Sequence, residues 1–281
     1  MHFGSLVAAL ASFLDARANQ GTWLLRMEDL DPEREPPGAA DRILDQLTAF
    51  GLNWDGDVVY QSHRLEAYRH ALDALQGLGC CFACDCSRQR IQAMGNVYDG
   101  HCRRRRDVPP ADHALRVRVD PVILRFTDLI QGEQEQDLAI QIGDFVIRRR
   151  DGLFAYQLAV VVDDAWQGVT RVVRGHDLLD STARQIYLQG LLGLPTPEYA
   201  HIPVIVDEGG HKLSKQQMAS AADPAQASLY LHQALIALGH EAPPGMSRAS
   251  TATLLDWAIS NWHIQKVPKL ASIPESASFT G

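Results

Sequence analysis

His2-Phe3-Gly4-Ser5 passes directly into Leu6-Val7-Ala8-Ala9-Leu10-Ala11-Ser12-Phe13-Leu14, the stretch on which the fold turns. Leu6, Leu10 and Leu14, with Val7 and Phe13, keep one apolar face from Ser5 to about Ala18, which predicts a helix closed by Gly21. The N–H groups of its first turn and the positive end of its dipole then face His2, Gly4 and Ser5, where a nucleotide phosphate could lie, and glycine permits close approach. Alone, a His-x-Gly-Ser tetrapeptide reads as a small flexible segment. It gains meaning beside Lys212-Leu213-Ser214-Lys215-Gln216, a loop behind Gly209-Gly210 that carries two lysines three residues apart with a hydroxyl between them. Two ammonium groups on one loop can neutralise a leaving pyrophosphate.

Between these motifs, helical and strand periods alternate. Thr22-Trp23-Leu24-Leu25-Arg26-Met27 is a short apolar strand candidate running into the acidic tip Glu28-Asp29-Leu30-Asp31, with a Pro-rich loop beyond. Residues 39–50 place Ile43, Leu44, Leu47 and Phe50 on one helical face before Gly51. Leu115, Val117 and Val119 alternate with Arg116, Arg118 and Asp120, the pattern of a half-buried strand. Residues 145–150 and 153–162 flank Asp151-Gly152, a hairpin signal because both turn positions favour positive φ. A helix over 180–190, a strand over 202–206 and a helical tail from Ala227 complete an α/β pattern.

With 281 residues, 46% hydrophobic, the chain can bury a sizeable core in one large domain or two smaller ones. Its longest apolar runs fall far short of a membrane span and its N-terminus lacks a signal-peptide layout, so a cytoplasmic protein with no membrane partner is expected. A net charge of −8 argues against a surface that attracts nucleic acid everywhere, although Arg103-Arg104-Arg105-Arg106 and Arg148-Arg149-Arg150 are candidates for a local basic stripe as well as for solvated faces. Cys80, Cys81, Cys84, Cys86 and Cys102 are the whole cysteine complement and fall in one segment, which suits a metal site and not a disulfide framework. From spacing alone Cys80, Cys81 or His101 is open as a fourth ligand of such a site.

The His-x-Gly and Lys-x-Ser-Lys motifs, in this order and about two hundred residues apart, resemble the paired signatures of class I aminoacyl-tRNA synthetases. Arg26-Met27-Glu28-Asp29-Leu30-Asp31, Val59-Tyr60-Gln61-Ser62 and Val173-Arg174-Gly175-His176-Asp177-Leu178-Leu179-Asp180-Ser181-Thr182 extend the likeness to the glutamyl-Q tRNA(Asp) synthetase family, shortened relatives of glutamyl-tRNA synthetase. Gln216 stands where the ordinary synthetase usually has arginine. The resemblance implies a Rossmann-like α/β catalytic domain in two halves, 1–75 and 144–222, around a zinc-containing acceptor-type insertion, 76–143, with a C-terminal helical region, 223–281. It implies ATP, carried with Mg²⁺, L-glutamate and the anticodon stem-loop of tRNA(Asp) as partners of a monomer. The reaction would be activation of glutamate as its adenylate and transfer to queuosine at the wobble position.

By the same resemblance His2, Gly4, Ser5, Lys212, Ser214 and Lys215 serve catalysis, His2 and Lys215 touching ATP. Glu28 would accept from the α-ammonium of glutamate, while Tyr156 and Arg174 would hold substrate carboxylate, as a cationic fork suits a carboxylate. Cys84, Cys86, Tyr98 and Cys102 would bind one structural zinc, with Cys80 and Cys81 as packed thiols at a helix end. In the family a first strand and an Arg-x-Ala-Pro-Ser-Pro-type segment come before the His-x-Gly motif; both are expected to be missing here, the segment's glutamate-binding arginine with them. An internal methionine chosen as start, or a fragment, is then expected, and an inactive chain as written. The alternatives are a fragment of an ordinary glutamyl-tRNA synthetase, against which Gln216 and the short tail weigh, and a non-catalytic zinc-containing RNA-binding protein.

Overall fold

The computed structural model describes residues 1–95, 97–105, 112–213, 222–243 and 245–278. Helix α1 (Phe3–Ala18) forms as its apolar period predicts, with Leu6, Leu10 and Leu14 fully buried and His2 as N-cap, its ring accepting from the Ser5 N–H. Strand β1 (Arg26–Met27) is only the last part of the apolar stretch 22–27. Helix α2 (Ala39–Ala49) ends where Gly51, at φ 75°, turns the chain. Strand β2 (Val59–Tyr60) then runs parallel to β1, so β1, α2 and β2 close one β-α-β unit.

Helix α3 (Leu65–Gly77) leads into β3 (Cys81–Cys84), the short helix α4 (Arg88–Ala93) and β4 (Ala114–Val117). Strands β5 (Ile123–Asp128) and β6 (Gly132–Asp137) make an antiparallel hairpin, and β7 (Phe145–Arg148) completes an antiparallel sheet of order β3-β4-β7. The second strand expected over 153–162 is corrected: beyond a single bridge from Phe154 to Arg148, the chain enters helix α5 (Tyr156–Gln167). Val160, Val161 and Val162 favour a strand by type, but Leu158, Ala159 and Val161 pack into the core at helical spacing, and tertiary burial overrides that preference.

Strand β8 (Arg171–Gly175), helix α6 (Leu179–Leu192) and β9 (Glu198–Ile202) form a second β-α-β unit with its strands parallel. The strand expected over 202–206 is corrected to two pieces, because Pro203 has no N–H for a ladder: β9 ends at Ile202 and β10 (Val204–Val206) turns away. Helices α7 (Ala227–Ala237) and α8 (Thr251–Asn261) follow, and β11 (Ser272–Pro274) pairs parallel with β10.

The largest sheet has the order β6-β5-β9-β8, so β8 lies at its edge. One core joins Leu6, Leu10 and Leu14 of α1 to Leu231 and Leu235 of α7 and Leu254 of α8. A second gathers Leu72 and Leu75 of α3, Val117 of β4, Ile147 of β7, Leu158 and Val161 of α5, and Leu188 of α6. Between β8 and the segment entering β1 runs a cavity of about 890 Å³, bordered by α1 through Ala8, Ser12 and Asp15. A smaller pocket is lined by the start of α1 and the end of β8, while Glu28 of the acidic tip and Asp164 and Gln167 of α5 line the large cavity. Among the described residues no helix is long and apolar enough to cross a membrane.

Candidate active site

The first turn of α1 faces the end of β8 across a pocket of about 280 Å³ lined by His2, Gly4, Ser5, Gly175, Asp177 and Lys212, among others. Two motifs separated by most of the chain thus meet, as their chemistry requires. The His2 ring caps the helix: Nδ1 accepts from the Ser5 N–H at 3.2 Å and Nε2 lies 3.0 Å from Ser5 Oγ. A Cβ on Gly4 would meet the His2 ring and Ile205 at 3.4 Å, an ordinary contact, so packing alone does not demand glycine there. At Gly175 a Cβ would fall 2.6 Å from Asp177 Oδ1, so the Asp177 side chain would have to turn aside. Lys212 donates to Asp177 Oδ2. Ser214, Lys215 and Gln216 lie outside the described residues.

The three residues expected for glutamate come from three elements. Arg174, on β8, is 8% exposed, and its Nη1 donates to Tyr156 Oη at 3.2 Å. Tyr156 opens α5, where the chain leaves the Asp151-Gly152 turn, and burial pushes its phenol upward. Glu28 lines the large cavity with 41% of its side chain accessible, yet protein encloses it closely enough that lost hydration raises its carboxyl above the usual range, against the pull of Arg26. The two cavities share Ala8 and Val173, so the two spaces adjoin.

The sequence reading did not single out what stands behind these groups. Arg26 donates to Asp164 Oδ1 at 2.7 Å and to Gln167 Oε1 at 2.7 Å, fixing β1 to α5. Arg174 Nε donates to His201 Nε2 at 3.0 Å, and His201 Nδ1 lies 2.6 Å from Asp128 Oδ2. Nothing in the sequence marked them: Asp128 ends β5, where Arg125 and Thr127 are polar as well, and His201 lies on β9 with Glu198.

The cysteine cluster forms beneath the antiparallel sheet, about β3 and α4. The Sγ atoms of Cys84, Cys86 and Cys102 all lie within 4.8 Å of one another and could hold a metal ion. Tyr98 Oη is 3.5 Å from Cys84 Sγ and 3.6 Å from Cys86 Sγ, and Cys86 and Cys102 are 3.6 Å apart. Gly143 makes this approach possible: at φ 65° it bridges to Tyr98, and a Cβ there would stand 2.9 Å from the Tyr98 nitrogen. Cys80 and Cys81 lie outside this cluster, as does His101. Arg116, expected on the outer face of β4, is buried, its guanidinium 4.3 Å from the centre of the Tyr98 ring and donating to the Asp144 carbonyl. Arg103 and Arg105 of the arginine run are engaged with Asp144 and Asp85.

The family model of the class I tRNA synthetase catalytic domain, E and Q, matches residues 1–239. A glutamyl-Q tRNA(Asp) synthetase of Ectopseudomonas mendocina is 52% identical over 276 residues, covering 98% of this chain and 94% of the relative. One from Pseudomonas aeruginosa is 50% identical over 277 residues, with the same coverage. In fold, the chain resembles a glutamate tRNA ligase of Elizabethkingia meningosepticum solved in complex with its amino acid, at a TM-score of 0.81 and 22% identity; it spans 65% of that longer chain. The chain therefore belongs to the glutamyl-Q tRNA(Asp) synthetase family, among the class I tRNA synthetases of the E and Q type, and is a ligase of that kind.

Proposed function

We propose that the protein activates L-glutamate with ATP and transfers it to queuosine at the wobble position of tRNA(Asp). The observation that carries this reading is the pocket that Arg174 shares with the first turn of α1, with Tyr156 hydrogen-bonded to Arg174, which sets a carboxylate-binding fork beside a helix N-terminus. Glu28 would take the α-ammonium and the Arg174–Tyr156 pair a carboxylate of the substrate. Glu28, though exposed, stands in the wall of the large cavity, which supports this role for it.

In the first step the α-carboxylate of glutamate attacks the α-phosphorus of ATP, the bond to the bridging oxygen breaks, and pyrophosphate leaves with its electron pair. His2, the N–H groups at the start of α1, and Lys215 would meet the charge that grows on the phosphoryl oxygens, with Lys212 and Ser214 on the same loop. Mg²⁺ would enter on the phosphates of the nucleotide as part of the substrate. In the second step a queuosine hydroxyl attacks the acyl carbon, AMP leaves, and glutamate is left as an ester. Positioning and charge supply the catalysis; the protein forms no covalent bond.

The cysteine cluster fits zinc. A tetrahedral ion with bonds of about 2.3 Å to sulfur and about 2.1 Å to oxygen separates its sulfur ligands by about 3.8 Å and sulfur from oxygen by about 3.6 Å. The Cys86–Cys102 and Cys–Tyr98 separations stand close to these edges. Cys84, Cys86, Cys102 and Tyr98 would form a closed shell, a structural site that shapes the insertion.

The test is transfer of labelled glutamate to tRNA(Asp). Label on queuosine-containing tRNA(Asp), absent from the same tRNA lacking queuosine, is expected. Label at the 3′ end of tRNA(Glu) would instead support an ordinary glutamyl-tRNA synthetase.

A further inference from the structure

Arg174 is held from behind by a buried polar chain whose proton positions can be deduced by counting donors. Asp128 and His201 are 1% and 0% exposed. Asp128 Oδ1 accepts three backbone N–H groups, from Ile130 at 3.0 Å, Gln131 at 2.8 Å and His201 at 3.2 Å, and Oδ2 faces His201 Nδ1 at 2.6 Å. A carboxylate only accepts and a guanidinium only donates. Nδ1 must therefore carry the proton, and Nε2 must keep its lone pair for the Arg174 Nε–H. His201 is the neutral Nδ1–H tautomer, in keeping with the burial that lowers its proton affinity against the pull of Asp128. Burial alone would raise the Asp128 carboxyl, but its hydrogen bonds from His201, Gln131 and Ile130 outweigh that and hold it below the usual range.

We propose that Asp128 and His201 are positioning residues for the substrate-binding fork of Arg174, setting the rotation of its guanidinium through the tautomer of the imidazole. With Nε on His201, and Nη2 on Thr182 Oγ1 at 2.8 Å and the Leu178 carbonyl at 3.3 Å, the group is clamped along one side. Nη1 is left to Tyr156 Oη, and Arg174 lines the pocket at the first turn of α1. The proposal rests on the reading of Arg174 and Tyr156 as the carboxylate site.

Asp128→Asn separates this role from bulk packing because it is almost isosteric. The three backbone N–H groups keep the amide oxygen at the Oδ1 position, so the new NH₂ faces Nδ1. The imidazole proton must then move to Nε2, where it meets the Arg174 Nε–H and turns the fork away. In glutamate-dependent ATP–pyrophosphate exchange the KM for glutamate should rise about ten- to hundredfold, the size of effect seen when partners behind a ligating side chain are lost, while the KM for ATP stays unchanged. His201→Gln, which keeps an acceptor opposite Arg174, should retain more glutamate affinity than His201→Leu. In ¹⁵N spectra of the wild-type protein, His201 should show the Nδ1–H tautomer at neutral pH. That measurement stands even if Asp128→Asn fails to fold. An Nε2–H or doubly protonated His201, or an unchanged glutamate KM in Asp128→Asn, would overturn the relay. A wild-type protein with no exchange at all would overturn the glutamate site, and the proposal with it.

Discussion

The carboxylate of Glu28 sits 3.6 Å from the guanidinium of Arg26, and that guanidinium is already committed to Asp164 at 2.7 Å. Glu28 thus keeps most of its negative charge for another partner, while burial raises its carboxyl above the ordinary range. If it binds the ammonium of glutamate, affinity should hold while the carboxyl is ionised and fall as pH drops through its raised value, above the pH at which surface carboxylates titrate. The stability effect has the opposite sign. A raised carboxyl contributes stability when protonated and loses it as pH rises, so Glu28→Gln should leave the fold as stable or more stable at neutral pH. The same variant should weaken glutamate binding about ten- to hundredfold, the worth of a hydrogen bond to a charged group. Calorimetric titration with glutamate and thermal unfolding measure both arms.

The lysine loop offers a second prediction. Lys212 is paired with Asp177, whereas the proposed role of Lys215 is to meet charge that exists only during reaction. Lys215→Ala should lower the rate of pyrophosphate exchange about a hundredfold or more with little change in melting temperature. Lys212→Ala should cost less. A Lys215→Ala enzyme with the wild-type rate would remove that lysine from the mechanism.

Helix α1 was legible because its apolar period and its motif agree, and Leu6, Leu10 and Leu14 are buried as that period requires. The resemblance to the family's zinc site likewise pointed to Cys84, Cys86 and Cys102, three thiols that the fold brings together. The stretch from Leu153 to Val162 misled for a physical reason: a run of valines after Asp-Gly satisfies the local rule for a hairpin, and only packing against α3 and α6 makes it helical. Pro203 was a local signal for the break between β9 and β10. The Asp128–His201 pair could not be read at all, since it forms between β5 and β9 across 73 residues and neither residue belongs to a motif.

For the metal, elemental analysis should find about one zinc per chain. Cys84→Ser should lose it and lower the melting temperature, because Cys84 and Cys102 are buried and their cluster has few apolar neighbours to replace a metal. A stable wild-type protein without metal would refute the site.

Asp163 anchors α5 to the segment before α3. Fully buried, it accepts from Gln61 at 2.9 Å, Arg64 at 2.5 Å and Tyr68 at 2.6 Å, and the Arg64 guanidinium stacks 3.7 Å from the ring centre of Trp166. Asp163→Ala should destabilise the fold by about 3–5 kcal/mol, since it strands a largely buried arginine. Tyr68→Phe should cost about 1 kcal/mol, one hydrogen bond. Chemical denaturation gives both values, and equal costs would contradict the network.

The central claim is that this site makes glutamyl-adenylate, and glutamate-dependent ATP–pyrophosphate exchange by the complete, folded gene product tests it most directly. Exchange that needs glutamate, does not need tRNA and fails with glutamine is the predicted result, because the proposed Arg174–Tyr156 fork, placed on the side-chain carboxylate, would meet a neutral amide in glutamine. A folded, metal-loaded protein that shows no exchange with glutamate would contradict the account.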